Sequence, residues 1–134
     1  MASLATIRAQ IAADVATALG TGYQVSAYPL SAPTPPCAEV AQFGVTKHQA
    51  MQNGAEVWTC VVRAYVAIAV DVVSQQAADA FLDDDPVSAA IEADQTLDGN
   101  VSDLIVERAD LRFWDHPSLQ APIVGVEWVI RILL

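Results

Sequence analysis

Between positions 56 and 71 every even residue is apolar (Trp58, Cys60, Val62, Ala64, Val66, Ile68 and Val70), while the odd ones mix Thr59, Arg63 and Tyr65 with small and apolar residues. A period of two puts alternate side chains on opposite faces of a strand, so one face of this segment belongs to a core. At about 3.3 Å per residue the strand would run roughly 50 Å. A globule of this chain length has a radius of gyration of only about 14 Å, hence a diameter near ~36 Å. The strand must therefore bend or project, and a long hairpin arm around 44–55, supported by a neighbouring molecule, is the natural outcome. The closing segment, 123–134, repeats the pattern: Val124, Val126, Trp128, Ile130, Ile132 and Leu134 line one face, with Glu127 and Arg131 set singly among Ile123, Val129 and Leu133 on the other. With Arg63, Glu127 and Arg131 as its main charges, that second face is too apolar for open water, and we expect it to meet another subunit.

The rest of the chain predicts an α+β domain. Leu4, Ile7, Ile11, Val15 and Leu19 recur at helical spacing, with Ser3 placed to cap the helix and Gly20 to end it. A short strand over 23–28 leads into a connector stiffened by Pro29, Pro33, Pro35 and Pro36, and a second strand runs over 37–43. The PxxP spacing of Pro33–Pro36 has no flanking basic residue and reads as a stiff connector rather than a docking motif. Two short helices follow, over 74–82 and 87–93, the second with Asp85 as N-cap and Pro86 at its first position. In a fourth strand, 101–114, the apolar phase slips from Leu104 and Val106 to Ala109, Leu111 and Phe113, which predicts either a bulge near Arg108 or a strand end that leaves the sheet. The order predicts one domain over 1–134: a mainly antiparallel sheet of four to five strands with the N-terminal helix and the two short helices on one face.

Composition narrows the function. Of the 134 residues 16% are charged, against about a quarter in an ordinary soluble domain, and six Lys plus Arg oppose sixteen Asp plus Glu for a net charge of −10. Scattered single arginines do not make the basic patch that phosphate binding needs, so nucleic-acid binding is not expected. The longest apolar run, 64–70, is too short to span a bilayer, and the N-terminus lacks the pattern of a signal peptide; a soluble protein without membrane contact is expected.

Catalytic groups are sparse. Walker, dinucleotide-binding, GxSxG, HExxH and EF-hand motifs are all lacking. A Cys60–His48 nucleophile pair is conceivable, but Cys60 falls on the core face, where a thiol is inert. Cys37 and Cys60 could bond if their strands form one hairpin in the right register. Asp79, Asp83, Asp84 and Asp85 are the densest carboxylates, yet they lack the alternating oxygens and glycine of a calcium loop and read as a solvated corner with a helix cap. Trp58 and Trp128 read as core; Trp114, at the end of its strand, is a candidate interface anchor. No enzyme activity, cofactor or metal is expected.

Several strings carry a family likeness: the Ala-rich opening helix ending at Gly20; Gly22-Tyr23-Gln24-Val25 leading to Tyr28-Pro29 and Pro33-Thr34-Pro35-Pro36; the long strand with Trp58 and Arg63; Ala89-Ala90-Ile91-Glu92-Ala93-Asp94 with Leu97-Asp98-Gly99; and Gly125-Val126-Glu127-Trp128. In these strings and in the order of its elements the chain resembles the tail-terminator (tail-completion) proteins of long-tailed bacteriophages, actinobacteriophage type. The likeness covers most of the chain but not 47–53 or 115–122. It implies a homohexameric ring at the head-proximal end of the tail tube, which ends tube polymerisation and joins the tail to the head-completion (neck) proteins. The partners would be further copies of the chain, the tail tube protein and a neck protein, in the virion. Arg63, Tyr65, Trp114, Glu127 and Arg131 are then the candidate subunit contacts, and the loops at 44–55 and 115–122 would dock on ring neighbours or the tube. Asp83, Asp84 and Asp85 are candidates to line a channel that DNA crosses as cargo, repelled rather than held. A neck protein, or a dimeric small-molecule-binding module with Trp114 near its pocket, are the alternatives.

Overall fold

The computed structural model describes residues 3–31, 33–46, 57–68, 72–115 and 122–133. The chain is α+β, as the sequence predicts. Its elements are α1 (Leu4–Leu19), β1 (Gln24–Ser26), β2 (Cys37–Thr46), β3 (Val57–Ile68), α2 (Val72–Asp83), α3 (Pro86–Glu92), β4 (Asp103–Trp114) and β5 (Ile123–Leu133). The strands form one sheet in the order β1-β2-β3-β5-β4, antiparallel except for the parallel pair β1–β2.

Local chemistry sets the helix ends. The Ser3 hydroxyl accepts from the Thr6 N–H at 3.2 Å, and Gly20 closes α1 at φ 81°, where a side chain would be strained. Asp85, at φ 41°, caps α3 by accepting from the Ser88 N–H at 3.1 Å, and Pro86 opens the first turn. The core lies between sheet and helices: Ile7, Ile11 and Val15 of α1, Ala78 of α2, and Val87 and Ile91 of α3 pack over Val40, Val62, Val126, Trp128 and Ile130. Each fully buried aliphatic side chain there contributes about 1.5–3 kcal/mol, so this layer dominates stability.

The long strands bend. Register shifts between Val40 and Gln42, Tyr65 and Ala67, and Val106 and Arg108 each insert an extra residue that increases local twist. The third is the predicted slip, with Glu107 as the extra residue. β3 is strand from Val57 to Ile68 and pairs with β2 as far as Thr46. The positions expected to form the hairpin tip, with His48, and the expected loop with His116 fall outside the described residues. Cys37 stands opposite Tyr65 and Cys60 opposite Phe43, five positions apart along β3, and both thiols are free and buried. A bond between them is therefore not formed, because the hairpin register separates them.

Candidate interaction face

The helices cover one face of the sheet. On the other, alternation and register stack side chains in rows across the strands. Glu39, Arg63, Glu127 and Asp110 stand directly opposite one another on β2, β3, β5 and β4 and make one charged row. Arg63 Nε donates to Glu127 Oε2 at 2.9 Å, and Arg112 Nε lies 3.5 Å from Glu127 Oε1. Arg108 Nε lies 3.2 Å from Asp110 Oδ2. Burial works against the Arg63 charge, but the hydrogen bond and charge of Glu127 outweigh it and raise its pKa. Such pairs are weak contributors to stability, with exposed ones worth about 0–1 kcal/mol and buried ones offset by desolvation. Their clearer effect is to fix which charges this face presents.

Beside this row the face is covered by its own chain. Cys37, Tyr65 and Ile123 form a small second cluster under Leu30 and Trp114. The Leu30 N–H donates to Glu39 Oε1 at 3.1 Å, which ties the proline-rich connector to the sheet. Tyr65 and Trp114 meet edge to face with ring centroids 5.1 Å apart, and burial, with Glu39 nearby, pushes the Tyr65 hydroxyl up to about 12. On the other side of the row the face is open. Val61 stands opposite Val129, Thr59 opposite Arg131, Ile105 opposite Arg131, and Val57 and Asp103 opposite Leu133. Val57, Asp103, Leu104, Ile105, Arg131 and Leu133 line a groove of about 220 Å³ there. Arg131 reaches Glu107 at 2.7 Å.

The candidate contact residues thus share one face but not one condition. Arg63 and Glu127 are paired in the charged row, Tyr65 is 7% exposed, Trp114 is half-buried over it, and Arg131 stands in the open part. The acidic candidates sit on the helical side. Asp83 and Asp84 are exposed, whereas Asp85 is half-buried and its Oδ1 also accepts from Trp128 Nε1 at 2.9 Å. Asp85 is therefore a structural cap, not a free carboxylate. Cys60 is buried and its thiol is pushed by burial up to about 12, unsuited to nucleophilic work. Among the described residues no three His, Cys, Asp or Glu side chains converge to hold a metal.

Arg8 is the residue that sequence reasoning missed. It reads as a polar interruption of α1, yet it is 9% exposed and lies 4.8 Å from the centroids of both Tyr28 and Phe43. It donates to the carbonyls of Ala27 at 2.9 Å and Val40 at 2.7 Å, bridging the end of β1 to the β2 bulge. The available signal is its spacing, four residues after Leu4 and three before Ile11, on the flank of the apolar stripe. A cavity of about 430 Å³ lies beside it, lined by Phe43, Thr59 and Val61 among others; Trp114 is not part of that lining.

Neither a scan against protein-family models nor a search of curated proteins gives a match to this chain.

Proposed function

We propose that the chain is a structural virion subunit that forms a ring on the head-proximal end of a phage tail tube, ends tube polymerisation and joins the tail to neck proteins. The observation that carries this reading is the second sheet face, with a charged row of fixed register beside an apolar area left open to solvent. Four of the five arginines lie on it: Arg63, Arg108, Arg112 and Arg131. The likeness to tail terminators supplies the ring and its place. On this reading Arg63, Glu127 and Arg131 select the neighbour, and Tyr65 and Trp114 brace the row from one side on the same face. The net charge of −10 suits a channel that lets duplex pass without holding it. Of the three acidic candidates, Asp83 and Asp84 are free to face that channel.

Labelling the chain in assembled particles tests the reading. Signal at the junction of tail and neck, on the tail side, is the expected result. Signal on the head side favours the neck-protein alternative, and particles without signal contradict both.

A further inference from the structure

Arg8 carries a charge that the fold does not neutralise. It is 9% exposed, and among the described residues no carboxylate pairs with it, whereas Arg63, Arg108, Arg112 and Arg131 each stand beside one. The planar guanidinium also offers more N–H donors than its neighbours use. Nη1 donates to the carbonyls of Ala27 and Val40, and Nη2 reaches the Ala41 carbonyl at 3.5 Å. Nε–H and the second Nη2 hydrogen have no partner among the described residues. Nε and Nη2 share one edge of the guanidinium, and such an edge grips a carboxylate bidentately. The rings of Tyr28 and Phe43, each with its centroid 4.8 Å from the guanidinium carbon, hold the group in place.

We infer that the cavity beside Arg8 binds a small organic carboxylate, with its charged end on the Nε edge of Arg8 and its apolar body against Phe43 and Val61. The inference goes beyond the self-assembly proposed above and does not rest on it. The cavity volume of about 430 Å³ lies within the roughly 300–1,000 Å³ of pockets that hold small molecules. Its wall is mixed in the way such a ligand needs: Phe43 and Val61 supply apolar surface, and Gln42 and Thr59 supply an amide and a hydroxyl. Gly44 leaves its part of the lining bare, since a Cβ there would meet nothing within 4 Å. A buried charge without a counter-ion is costly, and a carboxylate on the free edge relieves that cost. Inorganic anions fit less well. The net charge of −10 repels them at long range, and one guanidinium neutralises one charge, so the apolar wall must supply the remaining affinity.

The test is a ligand-observed NMR titration of the full chain with benzoate and hexanoate, against the neutral benzamide and hexanamide and against sulfate, all at equal ionic strength. The expected result is saturable binding of a carboxylate at least tenfold tighter than that of its amide or of sulfate. Gly44→Leu places a side chain in the cavity and leaves Arg8 as it is, so it should weaken that binding at least tenfold while melting as the wild type does. Arg8→Lys keeps the charge and loses the fork, and should weaken the binding to the same extent; where this variant fails to fold, because Arg8 ties β1 to β2, Gly44→Leu decides alone. Amides that bind as tightly as the carboxylates overturn the inference, since Arg8 then has only its structural role. Sulfate that binds as tightly overturns the carboxylate class and leaves an adventitious ion only. Absence of saturable binding by either carboxylate, or binding unchanged in Gly44→Leu, overturns the inference outright. None of these outcomes moves the tail-cap reading, which the labelling of particles tests separately.

Discussion

Gly125 lies in β5 under the Trp114 ring, and a Cβ there would stand 2.9 Å from that ring and collide with the carbonyl oxygen of Ala64. The backbone oxygen is the harder obstacle, since the ring can turn and the strand is held on both sides. Gly125→Ala should therefore destabilise the chain by about 1–3 kcal/mol, the range for overpacking, measured by urea denaturation. A second residue-scale effect concerns pH. One carboxylate oxygen of Asp14 is buried without a partner, and burial, then hydrogen bonding to Asp94 and its charge, raise the pKa from 3.8 to about 7. The folded state thus holds a proton that the unfolded chain releases. The stabilisation is fully present below about pH 4 and is lost as pH rises through 7. Asp14→Asn should flatten this part of the profile, so the variant loses less stability than the wild type between pH 5 and 8 in thermal melts. An identical slope in both proteins would contradict the assignment.

At the scale of elements, the junction of α2, α3 and β5 depends on one carboxylate. Asp85 caps α3 and also satisfies Trp128 Nε1, in a left-handed conformation that Asn tolerates and Ala does not. Asp85→Ala removes a cap worth about 0.5–2 kcal/mol and leaves a buried donor unpaired at about 1–3 kcal/mol. A loss of roughly 2–4 kcal/mol is expected by denaturation, with Asp85→Asn retaining part of it. This junction also shows what the sequence makes legible. Asp85-Pro86 announces a helix start because cap and proline act locally, and the phase slip of β4 announces its bulge because alternation is a local count. Pairing across strands is not local. That Glu39 and Asp110 complete the row begun by Arg63 and Glu127 follows only from the registers of three strand pairs, each set by its own bulge. The burial of Arg8 likewise depends on a β1–β2 connection that no periodicity announces.

For the whole molecule, charge and apolar area are distributed in space rather than merely present in excess. Helices whose only cation is the buried Arg8 cover one face of the sheet, and the exposed arginines stand on the other, each paired with an acid of that same face. On the proposed reading the two sides have separate duties. Reversing the exposed acids with Asp83→Lys and Asp84→Lys should slow or block DNA passage while leaving assembly intact, read as reduced infectivity of particles with normal tails; unchanged infectivity counts against the channel role. Arg131→Glu should act in the opposite order, impairing ring closure or tail completion, and tails of normal fixed length from that variant would remove Arg131 from the account. Native mass spectrometry of the wild-type chain, alone and with the tail tube protein, tests whether it closes into a ring. A closed hexamer of about 85 kDa, six copies of the 14.2 kDa chain, free or bound to tube subunits, is the expected result. A dimer, or a chain that stays monomeric even with the tube protein present, would contradict it.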